Sequence, residues 1–158
     1  MLARVYNGHP TDVLSRYYWT AKLLKADITL RLTGDCPCWD PLEGEKVLDR
    51  FLEGDIQYCS NLGESSDGTD TEIFSMDALA EAWLHAQDPY EREHVTPWMR
   101  RTALKREHVD VPGPAVKLSV DTEEDLERVR RVYRVLKREL FTWEEAVRAA
   151  QQSITGEG

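Results

Sequence analysis

Basic residues are scarce in this sequence: 20 Lys and Arg stand against 29 Asp and Glu over 158 residues, a formal net charge of −9. Such a surface repels a phosphate backbone and argues against nucleic acid as a partner. Long apolar runs are missing as well. No stretch approaches the roughly 20 residues of a membrane span, and Met1-Leu2-Ala3-Arg4 lacks the apolar segment of a secretory signal. The expectation is a cytoplasmic protein without a membrane partner. Cysteine is limited to Cys36, Cys38 and Cys59, an odd number that favours reduced thiols over a disulfide framework. Cys36-x-Cys38 has no second ligand pair, so it reads as two partly buried thiols before it reads as a zinc site. His9, His85, His94 and His108 are scattered, with no Ser or Cys nucleophile at a recognisable spacing. Low-complexity tracts and internal repeats are absent. So is any cluster of glycines with Lys or Arg ahead of a helix, the usual cradle for a nucleotide phosphate, although the chain has nine glycines.

What is present is ordinary globular material. Hydrophobic residues make up 41% of the chain, with five Trp, enough for one packed domain over residues 1–158. Arg4 to Tyr6 can form a short strand, and Thr11 can cap a helix over Asp12 to Lys25. Ile28, Leu30 and Leu32 alternate with polar residues as in a strand. Pro41 opens a helix through Phe51, and Ile56 to Ser60 and Glu72 to Phe74 read as further strands. Helical segments are expected over Asp77 to Ala86 and Glu93 to Leu104. Asn61 to Asp70 is polar and irregular, hence a loop. Val116, Leu118 and Val120 predict one more strand, followed by a helix carrying Leu126, Val129, Val132, Tyr133 and Leu136. Thr142 and Glu145 form a capping box for a last helix, within a terminal helical extension over residues 137–158. Alternating elements of this kind predict an α/β layered domain with a mixed, mostly parallel sheet.

In open α/β sheets, ligands bind beyond the carboxyl ends of the strands. Two expected strands end in an acid there, one delivering Asp35 and the other Asp121. If those strands are neighbours, the two carboxylates share a crevice suited to Mg2+, which is held by one or two carboxylates while phosphates and water complete its shell. Both acids also have plainer readings. Asp121 or Thr122 can be the N-cap of the following helix, with Glu124 or Asp125 closing the box, and Asp35 can be a turn residue after Gly34. Glu91-Arg92-Glu93-His94 is equally a solvated helix start.

Five stretches, in order, resemble the spore-coat polysaccharide biosynthesis type of cytidylyltransferase. They are Gly8 with Asp12-Val13-Leu14-Ser15-Arg16-Tyr17-Tyr18; Arg31-Leu32-Thr33-Gly34-Asp35-Cys36-Pro37; Asp67-Gly68-Thr69-Asp70-Thr71-Glu72-Ile73-Phe74-Ser75; Asp88-Pro89-Tyr90-Glu91-Arg92-Glu93-His94-Val95-Thr96-Pro97; and Leu118-Ser119-Val120-Asp121-Thr122-Glu123-Glu124-Asp125-Leu126. The resemblance implies a nucleotide-diphospho-sugar transferase-like, Rossmann-like fold. It also implies transfer of CMP from CTP to a sugar with release of pyrophosphate. Asp35 and Asp121 would be the catalytic, magnesium-holding acids. Arg16, Gly34, Asp67, Asp70, Glu72, Glu91, Arg92 and His94 would contact substrate. Members of that family begin with a strand and a phosphate-cradling loop, so the chain resembles the carboxyl-terminal two-thirds of one. Two expectations follow. The chain alone should be a poor catalyst or a non-catalytic sugar- or partner-binding domain, and an apolar sheet edge should be exposed, open to a homodimer or a complementary amino-terminal fragment.

Overall fold

The computed structural model describes residues 5–152, the side chain of Ser66 excepted. Four strands, β1 (Ile28–Arg31), β2 (Tyr58–Ser60), β3 (Glu72–Ser75) and β4 (Arg106–His108), form one sheet in the order β1-β3-β2-β4. The hydrogen bonds fix their directions. Ser75 N–H donates to Gln57 O at 3.1 Å and Asn61 N–H to Thr71 O at 3.2 Å, so β3 runs opposite to β2. Met76 N–H donates to Asp27 O at 2.9 Å, which reverses β3 against β1 too. Gln57 N–H to Lys105 O and Val109 N–H to Ser60 O, both 2.9 Å, ascend together, so β4 is parallel to β2. The sheet is mixed: β1, β2 and β4 share a direction and β3 is inverted.

Among the described residues seven α-helices accompany it: α1 (Val13–Leu24), α2 (Pro41–Leu52), α3 (Met76–His85), α4 (Pro89–His94), α5 (Pro97–Thr102), α6 (Glu123–Leu136) and α7 (Trp143–Gln152). The chain divides into two compact units. Unit one is Met1–Leu30, Phe51–Cys59 and Ile73–Glu107; unit two is Arg31–Arg50, Ser60–Glu72 and His108–Gly158.

In unit one, α1 is capped by the Asp12 carboxylate on Ser15 N–H at 2.9 Å, one residue later than the expected Thr11 cap. It buries Leu14, Tyr18 and Ala21 against α3, and the Tyr18 ring stacks on Trp83 with centroids 4.2 Å apart. The expected helix over Glu93 to Leu104 is split in two. Pro97 starts α5, and Val95 ends α4 with φ 72° and ψ −55° while Thr96 N–H donates to His94 O at 2.8 Å. That is a three-residue γ-turn with positive φ, a strained shape for a β-branched residue. Val95 is fully buried beside Met99 and Leu14. At the sheet edge, Ile28 and Leu30 of β1 remain 39% and 41% exposed. Of the expected strand Arg4 to Tyr6, Arg4 lies outside the described residues, and Val5 and Tyr6 are not in a strand.

In unit two, α6 and α7 pack around Leu118, Val129, Val132, Phe141 and Trp143. The Thr142–Glu145 box forms as expected, with Thr142 N–H to Glu145 Oε2 at 2.9 Å and Glu145 N–H to Thr142 Oγ1 at 3.3 Å. Residues 153–158 of the terminal extension lie outside the described part. The expected strand through Val116, Leu118 and Val120 does not form. Its amides go to two different loops instead: Leu118 N–H to Asp67 O and Val120 N–H to Asp35 O, each at 2.8 Å. The alternating pattern is real, but the segment is a single extended strap and not a sheet strand.

Candidate functional site

The three strands of common direction all deliver their following segments into unit two. After β1 comes the turn with Asp35, after β2 the loop with Asp67 and Asp70, and after β4 the strap that ends at Asp121. The strap ties the loops together through its bonds to Asp35 O and Asp67 O. Gly68 permits this: its φ is +114°, and a Cβ there would lie 2.6 Å from the Leu118 carbonyl carbon. Asn61 holds the same loop, accepting Thr71 N–H on Oδ1 at 2.7 Å and donating Nδ2–H to Thr69 O at 3.2 Å. Gly34 is different. A Cβ there would meet nothing within 4 Å, so packing inside the chain does not require that glycine.

Asp35 and Asp121 are both exposed, and the Val120–Asp35 bond makes their backbones neighbours. The cap of α6 is Thr122, whose Oγ1 accepts Asp125 N–H at 3.2 Å while Asp125 Oδ2 accepts Thr122 N–H at 3.1 Å. Asp121 is therefore free of capping duty. Its side chain meets Lys117, whose Nζ lies 2.6 Å from Asp121 Oδ2 and also 2.6 Å from Asp125 Oδ2. Asp125 is buried and has Arg128 at 2.7 Å besides; Lys117 first, then Arg128, holds its carboxyl well below the usual range. The Cys36 Sγ sits 3.8 Å from Asp35 Oδ1 and 4.0 Å from Asp70 Oδ2. Burial pushes its thiol up to about 11 against a lowering bond from Thr33, and the carboxylates of Asp70, Asp35 and Asp67 add to the rise. Burial, and then Cys36, push Cys38 up to about 12. Both thiols are therefore protonated and unreactive at neutral pH. Glu72 is held in a nearly fully buried ion pair, 2.5 Å from Arg31 Nη1.

The remaining expected residues belong to unit one. Arg16 lines a cavity of about 340 Å³ with Tyr6, Val13, Tyr17 and Thr20. Its buried Nε has no hydrogen-bond partner among the described residues. Gly8 makes room for it, since a Cβ there would lie 2.7 Å from Arg16 Cγ. Arg92 is committed to the fold, donating to Asp12 at 3.1 and 2.5 Å and to Trp83 O at 2.8 Å. Burial alone would raise the Asp12 carboxyl; Arg92 and the Ser15 N–H outweigh it and leave it lowered. Glu91 pairs with Arg101 at 2.5 Å. His94 is exposed and lies against Tyr90, with ring centroids 4.3 Å apart.

A family model described as cytidylyltransferase matches residues 2–153. The chain belongs to the cytidylyltransferase family. It is 33% identical over 131 residues to an uncharacterized protein of Methanocaldococcus jannaschii, covering 77% of this chain and 52% of that one. It is 30% identical over 139 residues to the spore coat polysaccharide biosynthesis protein SpsF of Bacillus subtilis, covering 82% and 57%. Its fold superimposes on the structure of a cytidylyltransferase from Leptospira borgpetersenii serovar Hardjo-bovis with a TM-score of 0.87 at 27% identity, covering 95% of this chain and 66% of that one. The chain spans little more than half the length of the curated relatives it matches.

Within this cytidylyltransferase domain, two contributors to the site escaped the sequence reading. Lys117 stands four residues before Asp121 in an alternating segment, so an even spacing already placed both on one face. Asn61, the first residue after β2, carried no such signal. No helix among the described residues is long and apolar enough to cross a membrane.

Proposed function

We propose that this domain is the metal- and sugar-handling part of a nucleotidyltransferase that moves CMP from CTP to a sugar. A sugar hydroxyl oxygen bonds to the α-phosphorus and gives up its proton to solvent, the bond from that phosphorus to the oxygen bridging to the β-phosphate breaks, and pyrophosphate leaves. The observation that carries this reading is the strap, which brings Asp121 beside Asp35 where the segments after β1, β2 and β4 meet. The donor set suits magnesium. Two exposed carboxylates are hard oxygen ligands, and phosphates and water would complete the shell. When bound, the ion would offset triphosphate charge as pyrophosphate departs.

The test is manganese relaxation with CTP present, for the unaltered chain and for the Asp35→Asn plus Asp121→Asn variant, alongside pyrophosphate release with acidic and amino sugars. Binding that disappears in the double variant is expected, with slow turnover. Equal binding by both chains would remove the reading. The exposed β1 edge favours a second reading, a domain that binds a partner strand from another copy or a complementary polypeptide. Sedimentation velocity over a concentration series, expected to show association, separates the two.

A further inference from the structure

We infer that Lys117 is an internal counter-ion that competes with the divalent cation for Asp121, and so makes metal binding depend on nucleotide. The inference rests on the reading that Asp35 and Asp121 hold the ion. Lys117 Nζ lies 2.6 Å from Asp121 Oδ2, in contact with one of the two oxygens through which the carboxylate could hold a metal. Among the described residues it is the sole cation on Asp121. The other acid it touches keeps partners without it: Asp125 has Arg128 at 2.7 Å and the backbone N–H groups of Asp121 and Thr122 at 3.2 and 3.1 Å. Lys117 thus shares the compensation of Asp125 with Arg128, while on Asp121 no second cation stands among the described residues.

An ammonium and a divalent ion cannot share one carboxylate oxygen without strong like-charge repulsion. Even with the ion on the other oxygen of the same carboxylate the two cations stay close, so the metal enters more readily once the lysine has moved away. Its side chain is 37% exposed on a flexible stem, so it is able to swing. A triphosphate arriving at the same place offers it a new anion. Nucleotide therefore draws the lysine off Asp121 and frees the oxygen, and the two ligands bind with positive, reciprocal coupling.

Manganese titration by calorimetry and relaxation, with and without CTP, tests this on the unaltered chain, Lys117→Met and Lys117→Arg. Lys117→Met should bind manganese alone at least roughly 5-fold more tightly, the low end of ordinary coupling, and CTP should raise its manganese affinity by a correspondingly smaller factor. Lys117→Arg should behave as the unaltered chain. Unchanged or weaker manganese binding by Lys117→Met overturns the inference and leaves the Asp35–Asp121 reading in place. No manganese binding by any chain, with or without CTP, removes both. A second measurement needs no variant: saturating manganese without nucleotide should speed labelling of Lys117 by an amine-reactive ester, read by mass spectrometry, and an unchanged rate overturns the inference.

Discussion

In unit two, one carboxylate terminates two helices. Asp40 Oδ1 accepts the Leu42 N–H of α2 at 2.8 Å, and Oδ2 accepts the Trp143 N–H of α7 at 2.6 Å, from a residue 103 positions away. Its own N–H is held by Thr69 Oγ1 at 2.9 Å, and it is only 3% exposed. Each bond satisfies a first-turn amide that the helix cannot satisfy itself. Losing such a cap costs about 1 kcal/mol, so Asp40→Ala should lower unfolding stability by about 2 kcal/mol in urea titration. Asp40→Asn keeps one acceptor oxygen and should lose about half as much. Equal stability of Asp40→Ala and the unaltered chain would show that water caps both helices adequately.

The join between α4 and α5 shows what a local sequence pattern hides. Apolar and charged residues from Glu93 to Leu104 carry a helical rhythm, yet Val95 turns the chain at positive φ while its side chain stays buried. Strain of this type costs roughly 1–3 kcal/mol. Val95→Ala keeps the strain and loses packing, whereas Val95→Gly loses slightly more packing and removes the strain. The glycine variant should therefore melt no lower than the alanine variant, against the usual order in which Gly is worse by roughly 0.5–1 kcal/mol. A glycine variant that melts lower by that ordinary margin would show a relaxed turn. Elsewhere, Pro41 marked the start of α2 and Thr142 with Glu145 the start of α7, while the cap of α1 is Asp12 and not Thr11, and the alternatives left open at α6 resolve to Thr122 with Asp125. The Val116–Val120 alternation misled because period two reports an extended chain, not the partner of its amides. β4 was invisible because Arg106, Glu107 and His108 carry no apolar alternation, their place being fixed by the backbone of β2. Asp35 was legible as an acid just beyond a strand, whereas the strand expected to deliver Asp121 does not form, and the adjacency of the two residues depends on a hydrogen bond that no spacing encodes.

At the scale of the whole molecule, the net charge of −9 would set the terms on which the triphosphate of the proposed reaction approaches. Without divalent ions, association of CTP with this chain should speed up as salt rises from roughly 0.01 to 0.1 M, over which the Debye length falls from about 30 to about 10 Å and like-charge repulsion is screened. Stopped-flow traces that slow with salt would show that local cations govern the approach. The strap between β4 and α6 has a consequence on the ribosome. Every strand of the sheet is complete once His108 has been made, but the amides of Leu118 and Val120, which fasten Asp67 and Asp35, are not. A nascent chain halted between those points possesses the whole sheet and none of the acid pair's assembly. The loops that carry Asp35 and Asp67 are thus fastened only after the sheet is complete, and that closure joins two ends of a long loop at a cost that rises only slowly with its length.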